Sequence, residues 1–72
     1  MPDDVYQRVR GYIYERTGIY FQDNKKYLLE GRLGKRLQFL GISDYDEYVQ
    51  YLKFGTNRNG ELRFFYDAIT IN

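Results

Sequence analysis

In the stretch KKYLLEGRLGKRLQFLG, residues 25 to 41, Leu29, Leu33, Leu37 and Leu40 recur at helical spacing. At about 100° per residue they fall within roughly 80° of arc, so a helix here lays a leucine edge against other apolar surface. Asp23 and Asn24 are both good N-caps for a helix that starts near Lys25, and Gly41 closes it after Leu40. At 72 residues the chain has a one-domain length. A chain this short hides only about 60% of the surface that its unfolded form exposes, so its core must be small.

Three further segments can supply the rest of that core. In DDVYQRVRGYIYERTG, Val5, Val9, Tyr12, Ile13 and Arg16 fall at helical spacing; Asp3 and Asp4 are placed to cap the start and Gly18 to stop the helix. In ISDYDEYVQYLKFG, Ser43 or Asp44 can serve as N-cap, with Asp46 or Glu47 completing a capping box. Tyr45, Tyr48, Val49 and Leu52 form its buried stripe and Gly55 ends it. GTNRNG is loop-forming by composition, and Asn59 can cap a last helix through Leu62, Phe65, Tyr66 and Ile69. No strand-like alternation of useful length occurs. The expected fold is all-α, a small four-helix bundle leaning antiparallel, formed as a single domain over residues 1–72.

Composition narrows the chemistry. With 43% hydrophobic residues, 29% charged and one proline, the chain reads as globular, and nine tyrosines and five phenylalanines carry much of its apolar surface. The absence of cysteine and histidine removes disulfides, thiolate metal sites and the usual neutral-pH base. Asp44, Asp46 and Glu47 are explained by their place at a helix start, and the tyrosines by core filling. No catalytic residue and no metal ligand is therefore assigned. No apolar run approaches the length of about 20 residues that a membrane span needs. The start MPDDVYQ lacks the regions of a signal peptide, so a cytoplasmic protein without direct membrane insertion is expected.

Charge is unevenly spread. Residues 25 to 41 hold Lys25, Lys26, Arg32, Lys35 and Arg36 against Glu30, a net of +4, while the whole chain carries +1 and the remainder therefore −3. Lys25, Arg32 and Arg36 form a stripe beside the leucines that Lys35 widens, so four cations are expected on one solvent-facing flank. Charge runs are commonly just solvated faces. Here Arg32 and Arg36 repel each other at i, i+4 instead of alternating in sign with acids, a retained cost that an external acidic partner would relieve. Gly31 and Gly34, each costing about 1 kcal/mol in a helix interior, read either as drift on an exposed face or as a shallow strip that a partner helix can approach closely.

Taken in order, TGIYF, LLEGRLGKRLQFLGI, DEYVQYL and ELRFFYDAITIN resemble the N-terminal helical domain of the chemotaxis receptor methyltransferases, over about Val5 to Asn72. The resemblance implies a substrate-recognition domain whose parent enzyme moves a methyl group from S-adenosylmethionine to glutamates on the cytoplasmic coiled coil of chemoreceptors. It implies no catalysis and no cofactor in this segment alone, with a separate C-terminal α/β domain doing the chemistry and packing on this one. By position it points to Lys25, Arg32, Lys35 and Arg36 as receptor contacts, with Lys26 nearer the core face, and to Asn72 as a cofactor contact in the full-length protein. Some relatives place a further basic residue where this chain has Gln38, and the family carries a phenylalanine-phenylalanine-arginine cofactor motif just after the position of Asn72.

The same residues admit two other readings. A nucleic-acid-binding module could use the basic helix along phosphates, with LGIS as a helix-turn-helix connection; Asp44, Asp46 and Glu47 would then face the groove with the wrong sign, so no nucleic acid is expected. A self-association or response-regulator-binding domain could use exposed Phe39, Phe54 or Phe64.

Overall fold

The computed structural model describes residues 1–55 and 58–70, with Arg58 described by its backbone alone. Four helices form, α1 Asp3–Thr17, α2 Lys26–Leu40, α3 Tyr45–Phe54 and α4 Arg58–Thr70, with one 3-10 turn at Asp23–Lys25 ahead of α2. Among the described residues there is no strand, and the architecture is the all-α four-helix bundle that the apolar spacing requires.

The glycine stops act through backbone geometry. Gly18 closes α1 at φ 78° with its N–H on the Tyr14 carbonyl. Gly41 closes α2 at φ 71°; its N–H reaches the Gln38 carbonyl and the Ile42 N–H that of Leu37, the paired closure that glycine allows without Cβ strain. The start signals are less uniform. Asp44 caps α3, accepting from the Glu47 N–H at 2.7 Å, and the Ser43 hydroxyl bonds the Glu47 carboxylate. Asp3 and Asp4 lie inside the first turn of α1 behind Pro2, and Asp23 and Asn24 fall in the 3-10 turn, so α2 begins after Lys25 without a side-chain cap. These acids are committed elsewhere: Asp3 accepts from Lys26 Nζ at 2.7 Å, and Asp23 pairs with Arg10. Asn59 lies within the first turn of α4, because that helix starts a residue earlier, at Arg58.

The main helix pairs are α1 with α3, α3 with α4 and α2 with α4. Packing order therefore departs from chain order. Val9 and Ile13 from α1, Leu29, Leu33 and Leu37 from α2, Tyr48 and Leu52 from α3, and Phe65 and Ile69 from α4 make up most of the core. Phe65 is fully buried, with the rings of Tyr12, Tyr48 and Tyr66 at 5.7, 6.3 and 5.7 Å between centroids. Leu40 and Tyr45, expected in buried stripes, pack at the margin of the core. The Tyr45 hydroxyl reaches back to donate to the Glu30 carbonyl at 3.1 Å. It stands 3.3 Å from where a Cβ on Gly34 would be, so Gly34 makes room for this chain's own tyrosine.

Candidate functional site

The cations of α2 point two ways. Arg36 lies roughly 20° round the helix from the Leu29 edge of the leucine stripe, close enough to the core for its head group to turn inward. Its Nε and Nη2 donate to the two carboxylate oxygens of Glu61 on α4 at 3.0 and 2.7 Å. The Tyr48 hydroxyl of α3 donates to the same carboxylate at 2.6 Å, so one buried acid joins three helices. Glu61 is only 3% exposed. Burial pushes its carboxyl up, but the hydrogen bonds from Arg36 and Tyr48 outweigh that effect and leave it below the ordinary value. Burial, and then the adjacent carboxylate, push the Tyr48 hydroxyl far above the usual tyrosine range and keep it a donor.

This corrects the expectation of four cations on one solvent-facing flank. Arg36 is already neutralised by an acid of its own chain, and its side chain is 22% exposed. On its outer side the guanidinium carbon sits 4.0 Å from the Phe64 ring centroid and 4.8 Å from that of Phe39. Lys26 is likewise engaged, by Asp3.

The other three behave differently. Among the described residues Lys25, Arg32 and Lys35 form no ion pair, whereas Arg8, Arg10, Lys26 and Arg36 each meet an acid. Arg63 on α4 shares this condition, as does Arg16, which bonds the Tyr66 hydroxyl instead of an acid. Lys25 and Arg32 line a hollow with Tyr20, Leu28 and Ile69. Arg32, Lys35 and Arg36 line the next one, a groove between α2 and α4 whose other walls are Gly31, Phe64 and Ala68. Arg32 belongs to both, and the cations run as one edge along α2. Its guanidinium also donates to the Ala68 carbonyl at 3.5 Å, near the negative end of the α4 dipole. Lys25 and Lys26 instead stand at the N-terminus of α2, where a helix disfavours positive charge. Of the cations on this segment, Arg36 and Lys26 serve the fold through Glu61 and Asp3, whereas Lys25 and Lys35 meet no acid among the described residues.

Sequence reasoning missed Glu61 and the groove between α2 and α4; it placed Tyr48 in the buried stripe, where it lies, but not its bond to Glu61. Glu61, Phe65 and Ile69 are spaced i, i+4, i+8, which puts Glu61 on the core face, where a carboxylate must find a cation. Asn72 lies outside the described residues. Among the described residues no group of acids, histidines or cysteines could hold a metal ion, and no helix is long and apolar enough to cross a membrane.

Comparison with known proteins agrees with the motif order. The family model described as CheR methyltransferase, all-alpha domain, matches residues 4–70. A chemotaxis protein methyltransferase of Escherichia coli K12 is 32% identical over 72 residues, which is all of this chain and 25% of that protein. Chemotaxis protein methyltransferase 2 of Vibrio cholerae is 33% identical over 70 residues, covering 97% of this chain and 24% of the relative. A chemotaxis protein methyltransferase of Borreliella burgdorferi is 32% identical over 69 residues, covering 96% and 24%. The chain thus spans about a quarter of the length of these curated relatives. No solved structure was found to match it.

Proposed function

The chain belongs to the all-alpha domain family of the CheR methyltransferases, and from that premise we propose that it is the substrate-recognition part of a chemoreceptor glutamate methyltransferase. The cationic edge of α2 docks on the acidic cytoplasmic coiled coil of the receptor near its methylation sites. The observation that carries this reading is that Lys25, Arg32 and Lys35 have no acidic partner among the described residues, while neighbouring cations do. Complementary charge at such an edge speeds encounter and fixes orientation more than it adds raw affinity.

Methyl transfer and S-adenosylmethionine belong, in this reading, to a C-terminal domain corresponding to the remaining length of the relatives. The hollows lined by the described cations are open troughs whose walls are mostly cationic, aromatic and aliphatic side chains with no acid among them, and they do not fit a cationic sulfonium nucleoside. No step of the reaction is assigned to these residues. Their part is to hold the receptor helix in register for a catalytic domain.

Salt is the first test. Three charge pairs at a solvent-reached edge, each contributing about 0.5 kcal/mol, are largely screened when ionic strength rises from about 0.02 M to about 0.3 M. Titration of a fluorescent chemoreceptor cytoplasmic fragment with this chain should show affinity falling roughly tenfold over that range. Affinity indifferent to salt would remove the electrostatic reading.

A further inference from the structure

The groove beside the cationic edge carries aromatic surface as well as charge. Phe64 and Phe39 are 50% and 76% exposed, yet both rings lie against the guanidinium of Arg36, a group already held from behind by Glu61. Exposed single phenylalanines are ordinary. Two rings ordered against one immobilised cation form a fixed apolar platform, and little side-chain freedom remains to be lost when something covers it. Arg36 spends its charge on Glu61, so what this platform offers outward is aromatic surface rather than a net positive charge.

Resting on the docking reading, we propose that the acidic partner helix seats in the groove between α2 and α4, and that Phe64, with Phe39 beyond it, is its apolar anchor. Two short residues leave the groove open to close approach: Gly31 on α2 has nothing within 4 Å of where a Cβ would stand, and Ala68 lines it from α4. The rim is cationic, with Arg32 and Lys35 lining the groove that Phe64 and Ala68 close from the α4 side. Lys25 to Arg36 spans about three helical turns, so the occupant is an amphipathic helix of comparable length. It presents acids to Arg32 and Lys35 and one large apolar residue to Phe64. Apolar anchors surrounded by a polar rim carry a disproportionate share of binding energy. In this arrangement the cations steer and Phe64 holds.

Two variants separate this from the charge reading. Phe64→Ala should weaken binding of the receptor fragment about tenfold or more at low and high salt alike, leaving the salt dependence intact. Gly31→Ala should raise the melting midpoint by about 4 °C, because alanine is the better helix former, while weakening binding severalfold by narrowing the approach on the α2 side. A variant that is more stable yet binds worse cannot be explained by damaged folding. If charge reversal abolishes binding but both variants bind like wild type, the partner lies on the outer edge of α2 and the groove proposal fails while docking stands. If neither charge reversal nor these variants matter, both readings fail. Sedimentation showing a dimer of this chain that Phe64→Ala dissolves would assign the platform to self-association and overturn the proposal.

Discussion

Replacing Arg36 by methionine is expected to destabilise the domain by about 3 kcal/mol, the lower end of the range for removing one partner of a buried ion pair. The lower end applies because the Arg36 side chain keeps 22% exposure while Glu61 has 3%. Methionine retains an apolar stem between Phe39 and Phe64, so the loss reports mainly the carboxylate left without its cation. A 72-residue domain holds in total roughly 4–11 kcal/mol. The midpoint should therefore fall by roughly 15 °C or more. Arg36→Met combined with Glu61→Gln should recover much of this, because glutamine still accepts from the Tyr48 hydroxyl and buries no charge. Should the double variant be no more stable than the single one, the buried charge is not what Arg36 serves.

Acid offers an independent view of the same cluster. The Glu61 carboxyl is lowered from its ordinary value of 4.5, so its contribution is complete above that value and is lost as pH falls through the lowered folded value. Asp3 and Asp46 are also lowered, by hydrogen bonds from Lys26 and Arg8, and blur the transition of the wild type alone. Comparison with Glu61→Gln isolates Glu61. The wild type should be the more stable at neutral pH, and the gap should close on acidification below about 4.5. A gap that does not change with pH would contradict the ion-pair account.

Period and stop signals carried most of the fold. Leu29, Leu33 and Leu37, and Phe65 with Ile69, are buried where helical spacing places them, and Gly18 and Gly41 end their helices in the left-handed conformation that glycine tolerates. Helix starts were harder to read, because a capping acid and an ion-pairing acid look alike in one dimension. Asp23 and Asp3 serve partners that are distant in sequence, Arg10 and Lys26. The site was legible as a charged segment but not as a sorted one. Separating Arg36 from Lys35 requires knowing that Glu61 on another helix reaches it, a contact 25 residues away in sequence. Phe39 and Phe64 were legible as exposed rings, and they are exposed; that both lie on one guanidinium was not, because this requires α4 to be laid beside α2.

Reversing Lys25, Arg32 and Lys35 together to glutamate is expected to leave the fold largely intact, because none of the three forms an ion pair among the described residues. Arg32 contributes slightly through the Ala68 carbonyl and the α4 dipole, a cost of about 0.3–1 kcal/mol when its sign is inverted. Binding should suffer far more. Each reversal removes an attraction and installs a repulsion of about 0.5 kcal/mol, in total about 3 kcal/mol, or roughly 100-fold in Kd. The decisive measurement is an anisotropy titration of a labelled chemoreceptor cytoplasmic fragment at low salt, with wild type and this triple variant matched in folded fraction by circular dichroism. A drop of about two orders of magnitude in affinity is the predicted result; superimposable isotherms would contradict the assignment of this edge of α2 to the receptor.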